Sequence, residues 1–242
     1  VSLLGLPPVI GHRGLASAAP ENTLAGFREA KRRGLEWVEL DVQLTSDGQP
    51  VVFHDDELDR TTDGHGRLAD TPWDVVRHLD AASWFGWPAE PVPHLAEALE
   101  VISGLGLGVN IEIKADETAG AATAAAALDL AVGLWSGRAP PLLSSFAESA
   151  LAEAARRAPD WPRGLLLGGV WGQGPGRARA LGCAGLHADH RLLTAARVSA
   201  ARELGLAVLA YTVNRIDRAR RLWGWGVEAV FSDRTFKFEM PV

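Results

Sequence analysis

Cysteine is almost absent: Cys183 is the only one among 242 residues. That excludes an internal disulfide framework and a thiolate-based metal site. Cys183 is expected to pack as a small apolar side chain. Lysine is scarce beside arginine, and the formal net charge is −6. A nucleic-acid binder would carry a basic stripe, so none is expected as a partner. An anionic substrate stays open, because a local cation can hold it whatever the overall sign. No apolar run approaches the roughly 20 residues of a membrane span. No basic segment followed by an apolar stretch opens the chain, so a cytoplasmic location is expected. Disorder and collagen signatures are also missing, with 47% hydrophobic and 22% charged residues.

What the sequence does have is rhythm. Short apolar runs fall at 8–14, 37–45, 50–55, 109–114, 140–146, 163–169, 184–189, 207–214 and 228–233. Helix-spaced stretches fill 22–34, 118–135, 148–158, 176–182, 194–205 and 215–226. Apolar strands alternating with helices imply a parallel sheet covered by helices. The link between the second and third runs holds Asp47-Gly48 and Pro50. It is too short for a parallel crossover and must be an antiparallel return. Eight parallel strands plus one return arm predict a (β/α)8 TIM barrel, whose usual size is about 250 residues. No GxGxxG follows the first run, which argues against a doubly wound open sheet. The expected organisation is one domain over 1–242 with an insertion at about 56–95. The aromatics of that insertion, Trp73, Trp84, Phe85 and Trp87, are expected to form mainly a satellite core.

Polar residues late in buried strands mark the candidate site, because a barrel works at the C-terminal ends of its strands. His12-Arg13 stand between two glycines at the end of the first run. In Glu39-Leu40-Asp41-Val42, a period of two puts both carboxylates on the inner face. They would repel there unless a cation, or a pair of arginines, lies between them. The hairpin brings His54 back to about the level of Asp41. Asp55 can orient a histidine ring or cap the next turn. In Asn110-Ile111-Glu112-Ile113-Lys114 the polar residues again alternate inward. Glu112 is a third candidate ligand and Lys114 a candidate phosphate contact; the alternative is a Glu112–Lys114 pair. Three inward acids suit one hard divalent cation, Mg2+ or Ca2+. Two histidines without a cysteine suit acid–base work. Arg13 and Lys114 suit a phosphoryl group.

With these residues the chain resembles the glycerophosphodiester phosphodiesterase family. The resemblance runs through Gly11-His12-Arg13-Gly14, Pro20-Glu21-Asn22-Thr23, Glu39-Leu40-Asp41-Val42, Val51-Val52-Phe53-His54-Asp55, Leu58-Asp59-Arg60-Thr61-Thr62, Ile111-Glu112-Ile113-Lys114, Thr212-Val213-Asn214 and Ser232-Asp233. It implies a phospholipase-C-like barrel, with His12 and His54 as the acid/base pair. It implies that Glu39, Asp41 and Glu112 hold the cation, that Arg13 and Lys114 contact the phosphate, and that the small-molecule substrate is a glycerophosphodiester. Glu21 either starts a helix or reaches the site. Tyr211 and His94 stand where the family often has Trp and Thr, which bears on head-group choice. The expected mechanism has one histidine, assigned as His12, taking a proton from the attacking oxygen and the other protonating the leaving alkoxide. The attacker is water or the glycerol 2-hydroxyl. A lipid phosphodiesterase would use the same residues, with Trp84-Phe85-Gly86-Trp87 as a membrane contact.

Overall fold

Eight of the nine apolar runs close into a ring. The computed structural model describes residues 2–137 and 139–236. The strands are β1 (Val9–Gly11), β2 (Trp37–Leu44), β3 (Pro50–Val52), β4 (Gly108–Ile113), β5 (Leu142–Ser145), β6 (Arg163–Leu167), β7 (Gly185–Asp189), β8 (Ala207–Tyr211) and β9 (Ala229–Ser232). All pair in parallel around the ring β1-β2-β4-β5-β6-β7-β8-β9-β1, except β3. That strand returns antiparallel against β2, with Val42 opposite Val52. The fold is the expected (β/α)8 barrel.

Helices α1 (Leu24–Arg32), α2 (Trp73–Val76), α3 (Leu95–Gly104), α4 (Gly120–Leu134), α5 (Glu148–Arg157), α6 (Gly174–Ala180), α7 (Ala195–Glu203) and α8 (Ile216–Gly224) complete it. Among the described residues, no helix is long and apolar enough to cross a membrane. Thr23 caps α1, its Oγ1 accepting from Gly26 N at 3.1 Å. The rhythm of apolar runs did not predict α3. Its start is a capping box built on a histidine: the His94 ring accepts from Ala96 N, and Glu97 accepts from His94 N. Histidine is not among the preferred caps, so the signal was easy to pass over.

Side chains alternate between two cores. Leu40, Val42, Ile111 and Ile113 face outward and pack with Phe27, Leu99 and Leu128 from the helices. The inside of the barrel is filled by Ile10, Leu142, Ala207, Leu209, Ala229 and Phe231. This alternation turns Glu39 and Asp41 inward. Cys183 is buried in the outer core, as expected, and burial pushes its thiol up to about 11.

The segment between β3 and α3 has its own small core of Val51, Phe53, Leu58, Leu68, Val76, Ala81 and Val92, with Trp73 packed on it. Trp84 and Trp87 depart from the expected burial, at 41% and 37% exposure. A bridge between Asp80 and Pro91 closes the tip that carries them. There they meet Phe85 edge-on, with ring centroids 5.1 and 6.2 Å apart. Trp223 and Trp225 lie partly buried against the outer core.

The turn after β1 packs closely against α1. Gly14 has φ 85°, and a Cβ there would lie 2.8 Å from the Gly26 backbone. Both the backbone angle and the contact forbid a side chain. Gly14→Ala is therefore expected to lose about 2 kcal/mol or more of unfolding free energy. Urea denaturation reads this directly, and an unchanged midpoint would refute the close packing of this turn against α1.

Candidate active site

The His12-Arg13 turn stores strain at the barrel mouth. Arg13 has φ 50° and Asn22 has φ 55°, both left-handed. Such positions persist only where the surroundings over-determine them. Arg13 N donates to Glu39 Oε2 at 2.7 Å, and Arg13 Nη1 donates to Glu21 Oε1 at 2.7 Å. Arg13 Nε stands 3.4 Å from Asp41 Oδ2. Asn22 grips Asp41 twice: its Nδ2 donates to Oδ2 at 2.9 Å, and its Oδ1 accepts from Asp41 N at 3.3 Å.

Three carboxylates face one another. One oxygen from each of Glu39, Asp41 and Glu112 lies within 4.8 Å of the others. Glu39 and Asp41 are 2% and 1% exposed. Burial, then Asp41 and Glu112, hold the Glu39 carboxyl well above the usual range. Burial, then Asp41, push Glu112 up to about 8. Lys114 Nζ is 3.7 Å from Glu112 Oε1 and only partly offsets this. Burial opposes charge on Arg13, but Asp41, Glu21 and Glu39 outweigh it and strengthen its hold on the proton. Glu39 Oε1 is buried with no hydrogen-bond partner. The cluster thus has an oxygen aimed at nothing and more negative charge than its neighbours balance. An oxygen-liganded divalent cation fits both facts.

Each histidine is tied to a carboxylate. His12 Nδ1 is 2.7 Å from Asp233 Oδ1. Asp233 in turn accepts from Asn214 Nδ2 at 2.6 Å, while its own N–H donates to Asn214 Oδ1 at 2.9 Å. His54 Nδ1 is 2.5 Å from Asp55 Oδ1. Asp55 takes two hydrogen bonds from Arg60. Arg60 also donates to Glu21 at 3.0 and 2.7 Å. Holding Nδ1 leaves the other ring nitrogen for proton transfer. Burial lowers the His54 pKa below its usual value; Asp41 opposes this, and Arg13 and Lys114 reinforce it.

All seven residues singled out by sequence (His12, Arg13, Glu39, Asp41, His54, Glu112 and Lys114) line one cavity of about 230 Å³. Glu21 reaches the site, bridging Arg13 and Arg60. Sequence reasoning did not assign Asp233, Asn214, Arg60 or Asn22. For Asp233 there was a signal, an acid directly after a buried strand. Arg60 lay inside the Leu58-Asp59-Arg60-Thr61-Thr62 stretch of the resemblance, without a role.

A closed parallel ring with acids, histidines and cations gathered at one mouth defines a (β/α)8 enzyme. Residues 12–237 match the model of the glycerophosphoryl diester phosphodiesterase family. The chain belongs to that family of phosphoric diester hydrolases. It is 32% identical over 227 residues to a glycerophosphodiester phosphodiesterase of Caldanaerobacter subterraneus, covering 93% of each chain. Among solved structures, an Oleispira antarctica phosphodiesterase in complex with the product sn-glycerol-3-phosphate is similar. It matches with TM-score 0.91 and 43% identity, over 94% of this chain and 93% of that one. A glycerophosphodiester phosphodiesterase from Agrobacterium tumefaciens matches with TM-score 0.77 and 28% identity, over 95% and 97%.

The same cavity holds a histidine that sequence reasoning left aside. His187 on β7 is fully buried, and burial lowers its pKa from 6.5 to about 3. Between those values the unfolded chain binds a proton that the folded chain refuses. Stability from this group is therefore present above pH 6.5 and lost as pH falls, at about 1.4 kcal/mol per unit. In His187→Leu that loss disappears. The unfolding free energy of the parent should fall, relative to the variant, by about 1.4 kcal/mol between about pH 6 and about pH 5. Parallel pH dependences in urea would show that His187 titrates freely in the folded chain.

Proposed function

We propose that this chain hydrolyses glycerophosphodiesters to glycerol 3-phosphate and an alcohol, with His12 and His54 as the acid/base pair. The observation that carries this is the meeting, in one cavity, of three facing carboxylates and two carboxylate-tethered histidines. The product-bound Oleispira antarctica relative supports the same substrate class.

In this reading Glu39, Asp41 and Glu112 hold one divalent cation, Mg2+ or Ca2+. When bound, it supplies charge stabilisation to a phosphoryl oxygen. Arg13 and Lys114 contact the phosphate and draw off charge that builds on its oxygens. Arg13 keeps its proton under the pull of Asp41 and Glu21 and arrives already oriented by Glu21. His12, steadied by Asp233, takes the proton from the attacking oxygen. His54, steadied by Asp55, returns a proton to the departing alkoxide. A second reading, a lipid-bearing diester, is favoured by Trp84, which stands exposed in a groove that also contains His12 and Arg13. Faster turnover of micellar lysophospholipid than of glycerophosphocholine would select it.

Release of glycerol 3-phosphate from glycerophosphocholine tests the first reading. His12→Ala and His54→Ala should each lower kcat by about 10²–10⁴ while leaving the fold intact. Near-normal turnover in either would remove that histidine from the mechanism. EDTA should abolish activity, and Mg2+ or Ca2+ should restore it. Because burial and the neighbouring acids hold Glu39 and Glu112 above the usual carboxylate range, metal binding near neutral pH should release protons. Calorimetry in buffers of different ionisation enthalpy reads this release. Glu112→Gln should diminish it, and activity indifferent to EDTA would overturn the metal assignment.

A further inference from the structure

The enclosed end of the cavity carries polar groups that acid–base chemistry at the mouth does not use. Asn110 on β4 is 1% exposed; its Nδ2 donates to Ser144 Oγ at 3.0 Å, and its Oδ1 has no partner. His187 is fully buried, and neither of its ring nitrogens has a partner. Gly164, in register with Ser144 and Gly185, makes room for that ring: a Cβ there would lie 2.3 Å from His187 Nε2. Asn110, Ser144 and His187 therefore form an arc across four neighbouring strands, and all three line the same cavity as the histidine pair.

Buried polar atoms are costly when left unpaired, and unpartnered ones on residues that line one cavity call for a ligand. The ligand's chemistry follows from theirs. A neutral imidazole offers one N–H and one lone pair, and Asn110 Oδ1 accepts only. A hydroxyl group both donates and accepts, so one hydroxyl can take the His187 N–H and give its proton to Asn110 Oδ1, pairing two of the three atoms. An anion finds no positive charge here, and an alkyl group would leave every atom unpaired. Depth selects which hydroxyl. Asn110 stands two residues before Glu112 on β4, and His187 two before Asp189 on β7. At about 3.3 Å per residue, Asn110 lies about 6–7 Å below Asp41 and Glu112, in register with Glu39. A three-carbon chain hanging from a phosphate at the mouth reaches that far with its last oxygen.

We propose that Asn110 and His187 bind the terminal hydroxyl of the substrate's glycerol half and set the preference for glycerol over simpler alkyl groups. This rests on the glycerophosphodiester reading above. The variable alcohol then faces the open mouth, where this arc does not read it.

The test compares glycerol 3-phosphate with propane-1,2-diol 1-phosphate, which lacks only the terminal hydroxyl, in calorimetric titrations with Mg2+ present. The matching pair of phosphocholine diesters is compared by choline release. The parent should favour the glyceryl compounds by roughly 100-fold or more, because the deoxy ligand leaves buried groups unpaired. In the diester assay the difference should fall mainly on KM. His187→Leu should shrink the ratio to within about threefold, and His187→Gln, which keeps a donor and an acceptor, should restore most of it. A parent ratio under about threefold overturns the inference while leaving the proposed reaction standing. A full ratio persisting in His187→Leu overturns it as well. Should the diesters not turn over at all, the reaction fails, and the binding ratio still decides the hydroxyl site.

Discussion

Asp41 and Glu112 sit side by side in register on β2 and β4, with Glu39 one inward position behind Asp41. Packing three acids into one mouth of a barrel is the constraint on which the rest of the site is organised. Like charges in a poorly hydrated space cannot all stay ionised without compensation. The chain surrounds them with Arg13 and Lys114, and with the amide of Asn22, yet leaves Glu39 Oε1 unpaired. The left-handed backbone at Arg13 and Asn22 follows from the same demand, since both residues bend in order to face the acids. The glycines at 11 and 14 give that bend its room: a Cβ on Gly11 would strike Gly14 O at 2.0 Å.

A second layer of charge ties the insertion to the barrel. Arg60 spans Asp55 and Glu21, and Glu21 holds Arg13. One chain of ion pairs thus runs from the His54 side of the mouth to the His12 side. Burial opposes ionisation of Glu21, and the Arg60 hydrogen bond and Arg13 overcome it, so its pKa is lowered. The hydrogen bond from Arg60 is the main influence that lowers Asp55, with His54 adding to it. The segment that breaks the strand–helix rhythm therefore shapes the site as well as covering the barrel.

Much of this was legible in the sequence because it rests on period and register. Alternation along Glu39-Leu40-Asp41-Val42 and along Asn110 to Lys114 decides which side chains enter the barrel. The Asp47-Gly48 turn decides where His54 lands. What escaped depends on contacts between distant parts of the chain. The partner of His12 is 221 residues away, and the position of Asp233 after a buried strand marks an acid at the mouth without naming the ring it holds. Arg60 lies in a stretch shared with the family, but its two partners, Asp55 and Glu21, are set by the fold. His187 resembled any histidine in a strand, because the missing side chain at Gly164 that makes room for it lies on another strand. The tryptophans at the insertion tip had two readings in the sequence, a satellite core or an exposed contact loop, and only the tertiary path leaves Trp84 and Trp87 exposed.

The closure of the ring through β1 and β9 has a consequence for the order of synthesis. Asp233 is made 221 residues after His12, so the first-made part of the site waits for β9. Until β9 slots between β8 and β1, the His12 ring has no carboxylate to fix its tautomer. A nascent or truncated chain can present the acids of β2 and β4 and the His54 arm, yet it holds an untethered His12. Competence at this mouth thus waits for the strand that closes the ring.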